Sequence, residues 1–467
     1  MLWTPILSSA FASTAPLETT DPVHLTHAME ALPAMAPASH LVPSEGEHHV
    51  TVYGYIPNWI DRPLDVDFDS MTHVAWFDVG LDTDGNVTDS ESWEGIAEDL
   101  VARAHAHGTK VHLCVTVFDT STHRAVLGDP TKRANAVADL ASLVEDHGAD
   151  GVNIDFERLE RDLKDEFVLF TQEMSAAVDE VFVATPLWDG AGSYDFDELA
   201  AASDGLFIMG YDVHTDGSAP GPVGPYAHGG LWPSEYNLVW SLEDYRTWYA
   251  PDDKIIMGFP LYGREWPASN DAIPAPFAGE GSPLSLARSL DRAAPFTYRY
   301  EENSQSAWAF TGDSQLWYDD LRSLRFKMEW AIDEGIQGIG FWAVGYEDGD
   351  PEFWEIVDEL TMSMPGSDAE EDTGFGDATG GGEDGSADGS GGDLGSESDG
   401  EDIDSEDTDA STETPGPNAE YRDRDEEKDD DAKMGCACTA AHQRPTFGWP
   451  LFFLGTAVAM RRQRDQN

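Results

Sequence analysis

Between residues 48 and 360, short apolar runs recur at regular intervals with amphipathic stretches between them. The runs at 50–57, 72–79, 110–117, 150–157, 181–186, 205–212, 254–261 and 336–344 have the length and boundaries of buried strands. After the fourth run, Leu159, Leu163, Phe167, Phe170, Met174 and Val178 recur every three or four residues, the period of a helix with one buried face. Residues 134–145 before the fourth run and 321–332 before the eighth repeat that spacing. Eight strands alternating with helices over about 310 residues predict an α/β protein of the (β/α)8 TIM-barrel class. A doubly wound sheet would call for a Gly-rich phosphate turn after an early strand, and the chain has none. Residues 267–320, between the seventh and eighth runs, contain FTYRYEENSQSAWAFTGDSQLWYDD. Its aromatic-rich runs predict a small β-rich insertion, of the kind that walls a substrate groove at the mouth of a barrel.

Charge divides the chain further. The 467 residues hold 26 Lys and Arg against 90 Asp and Glu, a net charge of −64 that repels phosphate backbones and excludes a nucleic-acid partner. Residues 366–433 carry 26 acidic and 4 basic side chains with almost no apolar residue, and are expected to form a disordered, self-repelling linker. The last 34 residues are net +3, which leaves −45 on residues 1–365. Only seven of the 26 basic residues are Lys, a composition that suits either a protein working in salt or an acidic proteome.

The ends differ from the middle. Residues 1–47 read as a leader and spacer, and MLWTPILSSAFASTAP is expected to be a degenerate export signal, lacking a basic residue before its apolar run. Residues 434–467 contain Cys436 and Cys438, then 16 uncharged residues between Arg444 and Arg461. That stretch is shorter than the roughly 20 residues a spanning helix needs, and the basic cluster after it suits a marginal span or a processed signal. The order of Cys motif, apolar segment and Arg cluster resembles the myxobacterial-type C-terminal sorting tails of exported proteins. The resemblance implies anchoring at the cell envelope or surface through Cys436. Cys114 lies in an apolar run and is expected to be a buried free thiol.

The fourth run, Asp150-Gly151-Val152-Asn153-Ile154-Asp155-Phe156-Glu157, carries the chemistry. Alternation puts Asn153, Asp155 and Glu157 on one face and Val152, Ile154 and Phe156 on the other. The apolar set suits packing beneath helices, so the polar set points into the barrel. Two neighbouring carboxylates in a confined site do not both ionise cheaply, which keeps one protonated for general-acid work. The same alternation also fits a solvated edge strand or an acidic metal-binding cluster.

DGVNIDFE resembles the strand-four motif of glycoside hydrolase family 18, D-G-x-D-x-D-x-E. Four further landmarks follow the family's order: Gly54-Tyr55, Met209-Gly210-Tyr211-Asp212, GFPLYGREW at 258–266, and Gly338-Ile339-Gly340-Phe341-Trp342. The resemblance covers roughly residues 48–360, within a catalytic barrel expected over 48–365. It implies retaining, substrate-assisted hydrolysis of β-1,4 bonds beside N-acetylglucosamine, without a metal or cofactor. On that reading Glu157 is the general acid and then the base. Asp155 orients the 2-acetamido group and stabilises the oxazolinium ion, while Tyr211 hydrogen-bonds the acetamido group. Asp212 and Met209 lie beside the sugar, Trp342 forms the floor beneath it, and Tyr55 and Arg264 line the groove.

Asn153 stands where the family's usual motif has an Asp that passes a proton to its neighbour. Asn hydrogen-bonds but does not titrate, so an altered pH optimum is expected. The N-I-D-F-E form resembles the spore-germination cortex hydrolases, which favours peptidoglycan as substrate with chitin oligomers behind it. Residues 1–47 show no pattern of a peptidoglycan-binding repeat, so targeting is expected from the groove or the tail. A lectin-like barrel without turnover is the alternative, weighed against the presence of Glu157, Asp155 and Tyr211. A metal-dependent deacetylase or hydrolase lacks His/Asp ligand spacing, because the 14 His are scattered. The expected partner is a glycan containing N-acetylglucosamine, acted on by a monomer.

Overall fold

The computed structural model describes residues 47–232 and 236–362. The leader, acidic linker and Cys436 tail inferred from sequence lie outside these residues. The strands, in chain order, begin with β1 (Thr51–Pro57), β2 (His73–Leu81), β3 (Val87–Thr88), β4 (Lys110–Val117) and β5 (Gly151–Phe156). They continue with β6 (Glu180–Pro186), β7 (Gly205–Met209), β8 (Ile255–Pro260), β9 (Tyr262–Pro267) and β10 (Ser282–Ser285). The last four are β11 (Arg299–Glu301), β12 (Ser306–Phe310), β13 (Ser314–Tyr318) and β14 (Gly338–Trp342). Strands β1, β2, β4, β5, β6, β7, β8 and β14 pair in parallel in that order, and β14 pairs back onto β1. The sheet therefore closes into the expected (β/α)8 barrel, its eight strands formed by the eight apolar runs.

Helices cover the outside because their apolar stripes have only the barrel to pack on. The helix Pro130–His147 has its limits written in sequence. Asp129 caps the amides of Thr131 and Lys132, Pro130 occupies the first turn, and Gly148 closes the end at φ 68°. It buries Ala136, Leu140 and Val144, and its Arg133 makes a bidentate pair with Glu173 on the next helix, Lys164–Ser175. Phe156 of β5 stacks on Phe167 and Phe170 of that helix at 5.6 and 5.3 Å, so the apolar face of the strand does point outward. Truncating Phe156 to Ala would cost about 3–5 kcal/mol by the usual scale for buried rings.

Inside the barrel, Phe207 occupies space that Gly258 and Gly340 leave open. These glycines face each other across β8 and β14, and a Cβ on either would come within 2.5 Å of the ring. Gly258 of GFPLYGREW and Gly340 of GIGFW are thus fixed by packing. The barrel ends are pinned together by His49 N–H donating to Thr361 O at 2.8 Å.

The insertion begins earlier than its composition suggested. GFPLYGREW straddles two sheets: Pro260 ends β8, and Tyr262 already starts β9 of a separate antiparallel sheet ordered β10-β9-β13-β12-β11. Trp308 and Trp317 are directly paired in register and stack at 5.2 Å. The buried Lys327 of the helix Leu321–Asp333 ties the insertion to the barrel side. It donates to Asp319 Oδ2 at 2.6 Å, to Ser306 Oγ at 3.2 Å and to Gly224 O at 2.6 Å. No helix among the described residues is long and apolar enough to cross a membrane.

Candidate active site

Strand β5 is buried along its whole length, and Glu157 follows it at the C-terminal mouth of the barrel. Glu157 stays in register through its N–H, which donates to Val117 O at 3.0 Å. Asp155 is paired in register with Thr116 and Asn153 with Cys114, which sets the polar face of β5 beside β4. Asn153 and Asp155 are 0% and 1% exposed, which excludes a solvated edge strand. The Asn153 amide oxygen accepts from the Tyr55 hydroxyl at 3.1 Å and from the Cys114 thiol at 3.3 Å. Cys114 is a buried free thiol, as expected, and burial raises its pKa well above the ordinary value, with Asp155, Asp78 and Glu157 adding to the effect.

Tyr211 reaches the same place from β7. The chain leaves β7 at Met209, and the Tyr211 N–H donates back to Met209 O at 2.8 Å. Asp212 then takes the left-handed conformation at φ 57°, which Asp tolerates better than most residues, so the strand ends before the predicted position 212. Burial, with the charges of Asp155, Glu157 and Asp212, pushes the Tyr211 pKa well above its ordinary value. The hydroxyl therefore keeps its proton. It is buried and finds no hydrogen-bond partner among the described residues.

Trp342 ends β14 fully buried, with Tyr55 at 5.6 Å, Trp59 at 6.2 Å and Phe77 edge-on at 4.7 Å. Arg264 is 1% exposed, and its contacts are with carboxylates: Nη2 donates to Asp212 Oδ1 at 3.1 Å and Nη1 pairs with Asp216. Tyr262 also donates its hydroxyl to Asp212 Oδ1. Arg264 thus holds Asp212 from behind.

Three neighbours escaped the sequence reading. Asp78, the sixth residue of β2, accepts from Thr116 Oγ1 at 2.6 Å and from Asn58 Nδ2 at 3.2 Å, adding a third carboxylate near the mouth. Its apolar surroundings, AWFDV, read simply as a strand. Tyr262 lay within a quoted segment, but nothing in its spacing marked it as the partner of Asp212. Trp188, two residues beyond β6, is 48% exposed and stacks on Tyr236 at 4.2 Å, offering a flat ring at the same end of the barrel.

The closed parallel barrel and the carboxylate-bearing strand at its mouth define a glycosidase-type fold. The sequence profile described as Glycosyl hydrolases family 18 matches residues 51–347, and the chain belongs to that family. A Bacillus subtilis protein named "Putative sporulation-specific glycosylase YdhD" is 29% identical over 241 residues, 48% of this chain and 54% of its own length. The chain thus spans about half of that relative. The cortical fragment-lytic enzyme of Bacillus anthracis is 22% identical over 321 residues, covering 63% of this chain and 70% of its own. The fold is also that of the family 18 chitinase from Cycas revoluta, solved in complex with (GlcNAc)3. The two agree at a TM-score of 0.61 and 20% identity, over 66% of this chain and 99% of that one.

Proposed function

We propose that this protein is an exported glycosidase that cleaves β-1,4 bonds beside N-acetylglucosamine by retaining, substrate-assisted catalysis. Glu157 protonates the glycosidic oxygen as the bond to C1 breaks. The carbonyl oxygen of the substrate's own 2-acetamido group attacks C1 and forms an oxazolinium ion, whose positive charge Asp155 stabilises. The Glu157 carboxylate then takes a proton from water, and that water opens the ring at C1 with the original configuration restored. The observation that carries this reading is the Tyr211 hydroxyl, buried, protonated and without a hydrogen-bond partner among the described residues, beside the two acids. An acetamido oxygen is the acceptor it lacks. Trp342 supplies an apolar floor, and Trp188 an outer platform for a further sugar.

Peptidoglycan is the preferred substrate and chitin oligomers the second choice. The names of the sporulation-specific and cortical fragment-lytic relatives support that order. The Cys436 tail would hold the barrel at the cell envelope, with the acidic linker as its tether. Mass spectrometry of products from purified peptidoglycan and chitin, at low and high salt, tests the reading. Products ending in N-acetylglucosamine are expected from the native chain and none from Glu157→Gln. Equal release by that variant removes Glu157 from its role, whereas sugar binding with no turnover by the native chain makes the barrel a lectin.

A further inference from the structure

At the opposite end of the barrel, three side chains far apart in sequence meet. His73 opens β2, His112 is the third residue of β4, and Glu180 opens β6. One potential ligand atom from each lies within 4.8 Å of the others. Both imidazoles turn Nε2 to the same carboxylate oxygen: Glu180 Oε2 is 3.3 Å from His73 Nε2 and 3.1 Å from His112 Nε2. A tetrahedral zinc site, with bonds near 2.0–2.1 Å, has edges of about 3.3 Å. Those two separations match two edges of such a site, and the third pair of ligand atoms lies within 4.8 Å.

The outer nitrogens of both imidazoles are anchored to hydroxyls. His73 Nδ1 lies 2.8 Å from Thr72 Oγ1, and that hydroxyl donates to Val52 O at 3.0 Å. His112 Nδ1 is likewise fixed, 3.0 Å from the Tyr53 hydroxyl. Anchored outer nitrogens of this kind orient metal-binding histidines. Phe182 closes the surroundings, with its centroid 5.4 and 5.2 Å from the two imidazoles. Lys110 pairs with the other oxygen, Oε1, and leaves Oε2 to the cluster.

We infer that His73, His112 and Glu180 form a zinc-class divalent-metal site in the floor of the barrel. The floor is a layer apart from the catalytic residues. His112 and Thr116, the register partner of Asp155, are four residues apart on β4, about 13 Å at 3.3 Å per residue. The site is therefore structural, and its occupancy is independent of the proposed hydrolysis.

The test is Zn2+ titration of the chelator-stripped full-length chain by calorimetry, with Co2+ absorption reporting the geometry. The native chain is expected to bind one Zn2+ that His73→Gln and Glu180→Gln each lose, whatever the leader histidines retain. Lys110→Met, which removes the competing ammonium, is expected to tighten that Zn2+ by about tenfold, within the range for changes around metal ligands. The Lys110→Met variant decides the matter should the first two fold poorly. Unchanged stoichiometry in folded His73→Gln and Glu180→Gln, or unchanged affinity in Lys110→Met, overturns the site and leaves a proton-held cluster.

Discussion

The Tyr55 hydroxyl donates to the Asn153 amide oxygen, and with the Cys114 thiol on the same atom it fixes the amide with its oxygen toward β1 and β4. A side chain so held cannot pass a proton along β5. Asn153→Asp is expected to add an ionisation to the pH profile of kcat/KM that the native chain lacks. Tyr55→Phe leaves a buried acceptor with a weak thiol donor, and is expected to cost about 1–3 kcal/mol of stability. Rate profiles from pH 4 to 9 and urea unfolding check the two.

Tyr211 separates catalysis from stability. Its hydroxyl has no hydrogen-bond partner among the described residues to lose, so Tyr211→Phe is expected to melt within a few degrees of the native chain. The loss should fall on turnover instead, by about 100-fold in kcat if the hydroxyl polarises the acetamido group. A variant that hydrolyses glycan at the native rate removes Tyr211 from the mechanism.

Glu347, in the loop after β14, gives a pH dependence of known sign. Burial raises its pKa from 4.5 to about 7, although Oε2 accepts from Gly345 N–H at 2.7 Å. The folded chain therefore binds this proton more tightly than the unfolded chain does. Its contribution is fully present below pH 4.5 and is lost as pH rises through 7, by about 3 kcal/mol in total. Glu347→Gln is expected to flatten the difference in urea midpoint between pH 5 and pH 8. A native and a variant curve of equal slope refutes it.

Lys327 and Asp319 form a buried pair in which desolvation works against both charges, lowering the lysine pKa and raising the aspartate's. Lys327→Ala leaves Asp319 without its counter-charge, and a loss of about 3–5 kcal/mol is expected from calorimetric or urea unfolding. Replacing both members with apolar residues should restore part of it.

Strand β5 was legible because one alternation served two purposes: Phe156 had to meet a helix, and Asp155 then had to point inward. The helix Pro130–His147 was legible over 134–145 through its apolar period, and its capping residues Asp129 and Gly148 extend it at both ends. What remained hidden depends on closure of the sheet. Asp78 joins the site only because β2 lies beside β4, and His73 meets Glu180 only across the barrel floor. The insertion boundary was misplaced for a related reason, since Tyr262 and Arg264 continue an apolar run whose first half belongs to another sheet. Arg264 looked like a groove residue, yet its burial against Asp212 and Asp216 makes it a support.

The junction at Leu261 has an evolutionary and practical consequence. Only one residue separates the end of β8 from the start of β9, and the first turn of β9 reaches back through Tyr262 and Arg264 to Asp212. The added sheet is therefore spliced into the mouth without slack. A loop swap there would change groove shape and the setting of Asp212 together, so exchanging substrate range between relatives means transplanting β9 along with the turn after β7.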